Sequence, residues 1–327
     1  MNVCPECSQS WFGSIDFLSG VLHFSAFIGI PFHIYCFYCI LCRSSANLKT
    51  LKWNILNYHS SILFFSYSIT VLASPYVFLP YMVGAPFGVL TYFEIPVDVQ
   101  VAFLVASLAL LSVSSTVLFE SWFHKFISSQ IWKKARILWI ALHYCSLPVL
   151  VWIAMEQAPE QDRAKDMFLE LLPRIPSGFN TNHIFVLTQN SLAIVIAFTT
   201  LILILIAESL FFTMLTLLFS SENPRVSQET LRKQSGFLGK LHLQVLIPIL
   251  TLIFSVAYGI ISSCLGYYNQ VLNNLFVSSA GFHGILSSIV LIFMYEDYRK
   301  LFRRNTVKQS PGNEMAFERR NSGVVTN

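Results

Sequence analysis

The sequence predicts an all-α membrane protein that folds as a bundle of seven transmembrane helices. Of its 327 residues, 54% are hydrophobic and only 12% are charged, whereas soluble domains are about one-quarter charged. Seven apolar runs have roughly the 20 residues that a helix needs to cross a bilayer. Basic residues concentrate on alternate connections between these runs, as expected of a chain that crosses the membrane repeatedly.

The predicted spans are numbered from the amino terminus. Serine, tyrosine and asparagine interrupt spans 2 and 7, which are therefore the least uniformly apolar. Pro75 lies inside span 2, where neighbouring helices can satisfy the backbone groups that a proline leaves free. Spans 1 to 7 cover residues 15–41, 54–80, 95–119, 137–155, 191–220, 241–265 and 272–294.

The distribution of lysine and arginine predicts the orientation of the chain. Of 21 such residues, 18 fall in the first, third and fifth connections and in the tail after span 7. The other three, Arg163, Lys165 and Arg174, share one loop between spans 4 and 5. Because basic connections remain in the cytoplasm, we expect the amino terminus outside and the carboxyl terminus inside.

This topology divides the chain into three segments. Residues 1–14 form an extracellular amino terminus, residues 15–294 the seven-helix transmembrane domain, and residues 295–327 a cytoplasmic region. That region is expected to begin with a short amphipathic helix over residues 296–304 and to continue as a disordered tail. Thr306 and Ser322 each follow an Arg-Arg-x sequence and are candidate phosphorylation sites. The long loop between spans 4 and 5 is expected to fold partly over the extracellular mouth.

The connection into span 6 changes from basic to apolar without a turn signal. Arg232, Lys233 and Lys240 lie on the predicted cytoplasmic side, and Pro248 follows about two turns inside the span. A proline at this depth removes a backbone hydrogen bond and bends a helix. The pattern predicts a hinged span 6 whose basic end faces a cytoplasmic partner.

Glu208 is the one acidic residue placed deep in a predicted span. Intramembrane carboxylates are rare and often functional. Three interpretations remain open: a neutral carboxyl or a structural pair with a base such as Arg232 or Lys240, a conformational switch, and ion conduction. The last would make the protein a transporter or channel, although no internal repeat relates the two halves of the chain.

The sequence lacks the patterns of catalytic and metal sites. Its eight histidines form no HxxH, HxxxH or HExxH box, and no span carries a Gly-x-Ser-x-Gly element. Cys4 and Cys7 form a CxxC pair that no second pair accompanies. We therefore predict a protein that is not an enzyme and that has no metal site, no cofactor and no nucleic-acid partner.

Several segments, in order along the chain, resemble the nematode serpentine chemoreceptors of class H, a family of seven-helix G-protein-coupled receptors. The ordered set covers about 300 residues, and its order and spacing make it more specific than any single piece. The segments are PFHIYCFYCILCR (31–43), LKWNILNYH (51–59), PYVFLPYMVGAPFG (75–88), LFE (118–120), TLRKQSGFLGKLHLQVLIP (230–248), HGILSS (283–288) and Tyr298-Arg299.

The resemblance implies a chemosensory receptor of the plasma membrane, in sensory-cell cilia, that signals to a heterotrimeric G protein. A dimer with another receptor is a further partner to consider. The chain departs from the family at Trp122, because members commonly have an arginine two residues after the glutamate that is Glu120 here. In many receptors that arginine locks the cytoplasmic ends of spans 3 and 6. Asp297 likewise replaces the usual proline before Tyr298-Arg299. These departures leave open a relative that does not signal and instead assists trafficking or dimerises.

We expect the ligand among the outer halves of spans 3, 5, 6 and 7. An apolar, aromatic pocket with few polar groups suits a volatile or weakly polar molecule. Depth and polarity select Gln100, Phe103, Gln189, Asn190, Tyr258, Asn274 and Ser278 as candidate ligand contacts, although each could instead bridge helices. The candidates for the switch and for the surface facing the G protein are Glu120, Trp122, Glu208, Arg232, Lys233, Lys240, Pro248, Tyr298 and Arg299.

Overall fold

The structure is a computed structural model. It describes residues 10–43, 51–125, 130–171, 181–221 and 257–295, together with residues 236, 239, 242, 243, 250, 254, 298 and 299.

The described chain is mostly helical. Its helices are α1 Ile15–Cys42, α2 Lys52–Tyr67 with the π-helical turn Ser68–Leu72, α3 Val89–Tyr92, α4 Val97–His124, α5 Gln130–Met155, α6 Gln161–Leu171, α7 Ser191–Ser221, α8 257–265 and α9 Gln270–Met294. Five of them, α1, α4, α5, α7 and α9, are long and apolar enough to cross a membrane, and they match spans 1, 3, 4, 5 and 7. Helix α2 with its π-helical turn matches span 2, and α8 is the described end of span 6.

The prediction that span 2 continues as a helix to residue 80 is wrong. The helical part ends at Leu72, and Pro75–Phe78 forms a β-strand instead. Ser74 has a φ of 45°, which turns the chain out of the helix immediately before Pro75. A proline inside a helix also removes a backbone donor and clashes with the preceding turn. Pro75 is thus the first residue of a strand and not a kink within a membrane helix.

A three-stranded antiparallel sheet adds a β element to the predicted all-α class. Its strands are β1 Pro75–Phe78, β2 Val83–Pro86 and β3 Phe185–Val186, in the order β1-β2-β3. Tyr76 faces Ala85 across the first pair of strands, and Val83 faces Val186 across the second. Because β3 belongs to the loop between spans 4 and 5, the sheet joins two loops that are distant in sequence.

Helix α6 anchors the same long loop on the sheet. The Gln161 side chain donates to the carbonyl of Val186 at 3.0 Å and accepts from its amide at 3.0 Å. The buried Phe168 ring makes edge contacts with Phe78 and Tyr81, at centroid distances of 5.2 and 5.6 Å. The loop therefore packs over one end of the bundle, the end that the charge distribution predicts to be extracellular.

Span 7 approaches spans 1 and 2 closely because two of its residues are glycines. A Cβ atom on Gly281 would lie 2.9 Å from Cδ2 of Leu22, and one on Gly284 would lie 2.6 Å from Oγ of Ser66. By contrast, no side chain of α5 is fully buried, as expected of a peripheral helix that has one face toward the bundle and the other toward lipid.

Candidate functional site

A cavity of about 300 Å³ lies under the sheet, between spans 2, 3, 5, 6 and 7. The sheet and its connections provide the roof, and spans 2, 3, 5 and 7 provide most of the walls. Span 6 contributes Gly259. The lining residues are Phe65, Ile69, Pro75, Val77, Leu79, Met82, Leu104, Val105, Leu108, Leu187, Ile194, Val195, Gly259, Phe276, Val277 and Ala280.

Every side chain of this lining is apolar, which decides what the cavity can bind. A molecule inside gains free energy from the apolar area that it removes from water, at about 25 cal/mol per Å². A polar group on that molecule would lose its hydrogen bonds to water without gaining new ones from these side chains. Its volume is at the lower end of the range for ligand pockets, roughly 300 to 1,000 Å³. The chemistry suits a small, uncharged, weakly polar molecule.

Hydrogen bonds outside the cavity hold its roof in place. The Tyr76 hydroxyl donates to the carbonyl of Gly13 at 2.6 Å, and the Gln270 side chain donates to the carbonyl of Val77 at 3.1 Å. The Tyr268 hydroxyl donates to Oε1 of Gln270 at 2.8 Å. Burial raises the pKa of Tyr76 and of Tyr268, so both phenols remain protonated donors. The polar groups of this region thus fix the sheet while the cavity stays apolar.

The residues selected from the sequence as ligand contacts lie outside this lining. Gln100 is buried at the start of α4, where its side chain donates to the carbonyl of Ile95 at 2.8 Å and accepts from Thr91 at 3.1 Å. The Phe103 ring packs edge-on against Phe64, at a centroid distance of 5.0 Å. The Gln100 hydrogen bonds hold the start of α4 against the segment that precedes it, and the Phe103 contact joins spans 2 and 3.

Of the selected polar residues of spans 6 and 7, Tyr258 and Asn274 join segments of the protein. The Tyr258 hydroxyl donates to Oδ1 of Asn273 at 2.7 Å and links spans 6 and 7. The Asn274 side chain donates to the carbonyls of Phe12 and Ser14, each at 3.0 Å. Ser278 is buried directly after the lining residue Val277.

Gln189 and Asn190 lie at the start of span 5 and are exposed. Asn190 caps α7, since its Oδ1 accepts a hydrogen bond from the amide of Ala193 at 3.1 Å. Like the other five selected residues, neither belongs to the cavity lining. Their choice as ligand contacts therefore remains a prediction.

At the opposite end of the bundle, Glu120 is fully buried and paired with Arg136. Nε of Arg136 lies 2.9 Å from both carboxylate oxygens, and Nε1 of Trp132 donates to Oε1 at 3.1 Å. Nη2 of Arg136 also donates to Oγ of Ser121 at 3.0 Å. Charge-assisted hydrogen bonds of this kind offset the desolvation of a buried carboxylate. An arginine of span 4 therefore pairs with the glutamate of span 3.

Trp122 occupies the position where related receptors commonly have arginine, and its side chain is buried. The ammonium group of Lys125 lies 4.9 Å from the centroid of its ring, within reach of a cation–π interaction. Burial lowers the pKa of Lys125, which follows the end of α4. In this chain the position packs a large aromatic ring and has no charge with which to bind Glu120.

His242 connects the beginning of span 6 to spans 3 and 5. Its ring lies 4.9 Å from the Phe119 ring, and its Nε2 lies 2.8 Å from Oγ1 of Thr213. The neighbouring Phe212 ring contacts Trp132 at 6.0 Å and three further aromatic side chains. Spans 3, 4, 5 and 6 thus meet in one group of aromatic residues beside the Glu120–Arg136 pair.

Glu208 of span 5 contacts His143 of span 4, with Oε2 and Nε2 3.3 Å apart. The other ring nitrogen of His143 lies 2.9 Å from the carbonyl of Trp139. Spacing along the sequence did not identify His143 as a partner for this carboxylate. Arg232 and Lys240, the partners considered from the sequence, lie outside the described residues.

Of the other residues selected for the switch, Tyr298 is buried and its carbonyl accepts a hydrogen bond from the Tyr35 hydroxyl at 2.9 Å. The amide of Arg299 donates to the carbonyl of Tyr295 at 3.0 Å. The remaining selected residues lie outside the described part of the chain. They are Lys233, Pro248, Thr306 and Ser322.

Comparisons with known proteins agree with this architecture. A family model described as "Serpentine type 7TM GPCR chemoreceptor Srh" matches residues 13–308. The chain is also 24% identical over 299 residues to serpentine receptor class H-72 of Caenorhabditis elegans, and the match covers 86% of this chain and 83% of that relative. These matches make the protein a multi-pass membrane receptor and not an enzyme. The chain therefore belongs to the Srh family of serpentine, seven-transmembrane G-protein-coupled chemoreceptors.

Proposed function

We propose that this chemoreceptor binds a small apolar molecule in the cavity under the sheet and signals to a heterotrimeric G protein. The observation that carries the proposal is the entirely apolar lining shared by five spans. A volatile or weakly polar compound matches that lining because binding depends on excluded water and shape and not on hydrogen bonds.

Span 6 is the element through which the ligand would act. Gly259 of span 6 lines the cavity, so an occupant touches this span directly. Some 17 residues earlier along the chain, His242 contacts Phe119 and Thr213. A ligand that fits better when span 6 has moved away from spans 3 and 5 shifts the population toward that state. Pro248, between these two points, is the expected hinge.

The predicted cytoplasmic side carries the groups expected to meet the G protein. Arg232, Lys233 and Lys240 precede or begin span 6, and Tyr298-Arg299 follow span 7. The Glu120–Arg136 pair supports signalling by this chain despite Trp122, because it supplies the buried glutamate with an arginine from another helix. The expected location is the plasma membrane of sensory cells, at their cilia.

A cell-based G-protein activation assay with a panel of volatile and weakly polar compounds tests this proposal. We expect at least one compound to activate the wild-type receptor, and we expect Ala280→Phe to abolish that response by filling the cavity. Leu275→Phe is the matched control, because Leu275 lies on the same helix and is exposed. Both variants must reach the cell surface in equal amounts.

Two outcomes would contradict the proposal. A response that Ala280→Phe leaves unchanged would place the ligand elsewhere. A surface-expressed receptor that couples with no compound would favour a relative that assists trafficking or dimerises.

The contact between Glu208 and His143 supports one alternative, a transporter or channel, because it brings two titratable groups together between spans 4 and 5. Proton or ion flux through the purified protein in liposomes, abolished by Glu208→Gln, would establish that function. Flux equal to that of empty liposomes would exclude it.

A further inference from the structure

A group of buried polar side chains lies between spans 1, 2 and 7, separate from both the cavity and the Glu120–Arg136 pair. It contains His33 of span 1, His59 of span 2, and His283 and Ser287 of span 7. All four side chains are 4% exposed or less. His33 lies at the centre, since its ring centroid is 5.9 Å from that of His59 and its Nδ1 is 2.8 Å from Oγ of Ser288.

Most polar atoms of this group have no hydrogen-bond partner among the described residues. They are both ring nitrogens of His59, both ring nitrogens of His283, and Oγ of Ser287. His59 lies near the backbone carbonyl of His33 but without the geometry of a hydrogen bond. Buried polar groups in folded proteins are nearly always paired, with protein or with ordered water, because an unpaired group keeps its full cost of desolvation.

We propose that this group binds one or more water molecules between spans 1, 2 and 7. A neutral imidazole presents one donor and one acceptor, and a serine hydroxyl can be either. Water can satisfy all of them, since a buried water commonly makes about three hydrogen bonds. Among the described residues, no set of three or more His, Cys, Asp or Glu side chains is arranged to hold a metal ion, which favours water over a cation.

Phe65 contacts both this water site and the cavity. The Phe65 ring lines the cavity and also makes an edge contact with the His283 ring, at a centroid distance of 5.3 Å. The two compartments are therefore adjacent but opposite in chemistry, one apolar and one hydrated. The water site does not depend on the identity of the ligand or on coupling to a G protein.

Radiolytic hydroxyl-radical labelling of the full-length receptor in nanodiscs, read by mass spectrometry, tests the proposal. Radicals form from bound water and oxidise the side chains beside it. We expect oxidation of His283 and His59 at least tenfold faster than that of Tyr76 and Phe78, whose rings are at least as reactive toward hydroxyl radicals and are 0% exposed. Rates equal to those of Tyr76 and Phe78 in the wild-type protein would overturn the proposal without any variant.

A substitution identifies the atoms that hold the water. His283→Phe keeps a ring of similar size but removes both nitrogens, and we expect it to lower His59 oxidation to the level of Tyr76. His23→Phe, on an exposed position of span 1, is the control and should leave His59 oxidation unchanged. A stoichiometric metal found by elemental analysis of the wild-type protein and lost in His283→Phe would also overturn the proposal.

Discussion

At the end of the bundle that carries the sheet, the helices line a cavity with apolar side chains, whereas at the opposite end they meet around the buried carboxylate of Glu120. At the first end, backbone carbonyls and amide side chains hold the roof from outside the cavity. At the second end, the carboxylate of Glu120 is buried between the helices and accepts hydrogen bonds from Arg136 and Trp132.

The two ends therefore differ in how strictly their contacts constrain geometry. An apolar wall tolerates small changes in the shape and orientation of an occupant, because burial of apolar surface has no directional requirement. A buried ion pair is directional and costly to disturb, since separating its partners leaves an uncompensated charge. If the ligand binds in the cavity as proposed, its recognition depends on adaptable contacts, whereas the packing of spans 3 and 4 depends on a specific ion pair.

Of the effects predicted here, the loss of stability on removing the Arg136 side chain should be the largest. Arg136→Ala leaves the fully buried Glu120 without its charged partner and should destabilise the protein by about 3–5 kcal/mol. We expect a large fall in the thermal unfolding midpoint of the purified receptor. Lys134→Ala, on an exposed position of the same helix, should leave the midpoint nearly unchanged. The double variant Glu120→Gln/Arg136→Met should recover much of the lost stability. Equal unfolding midpoints for Arg136→Ala and Lys134→Ala would refute the importance of the ion pair.

Ligands of different polarity test the apolar cavity at the opposite end of the bundle. A hydroxyl added to an activating compound should lower its potency about 10- to 100-fold, because an unpaired hydroxyl costs about 1–3 kcal/mol. Val277→Thr places a hydroxyl in the wall at nearly constant volume and should recover part of that potency. Val99→Thr, at an exposed position, is the control. Dose–response curves that are indifferent to the added hydroxyl would show that the binding site is not this cavity.

Loss of the hydrogen bond between His242 of span 6 and Thr213 of span 5 should have a smaller effect. His242→Phe keeps a ring beside Phe119 but loses the hydrogen bond to Thr213, which is worth about 1 kcal/mol. We expect ligand-independent signalling to rise about fivefold in the activation assay. Thr213→Val should have the same effect, and the double variant should not exceed either single one. Thr200→Val, on an exposed position of the same helix, should leave basal signalling unchanged.

The smallest expected effect concerns the roof of the cavity. Tyr76→Phe removes the hydrogen bond to the carbonyl of Gly13 and should lower stability by about 1 kcal/mol. A shift of a few degrees in the unfolding midpoint, absent from the exposed Tyr92→Phe control, is the measurement. No shift would mean that this hydrogen bond does not hold the sheet in place.

The helical membrane fold was accessible from the sequence, but the positions of individual contacts were not. The apolar character expected of the ligand site agrees with the lining of the cavity. The seven polar and aromatic residues chosen by depth lie outside that lining, because depth along a helix does not give the direction in which a side chain points. The sequence shows Trp122 where family members commonly have arginine, but it did not reveal that Arg136 of the next helix pairs with Glu120.

Apolar runs of membrane length by themselves predicted the five long helices that match spans 1, 3, 4, 5 and 7, because this signal is local and each helix satisfies its own backbone hydrogen bonds. Only the tertiary structure decided that Pro75 begins a strand, that β3 joins β2 across about 100 residues, and that Glu120 faces Arg136. These contacts depend on the rotation and register of packed elements. A local pattern of residues does not specify either one.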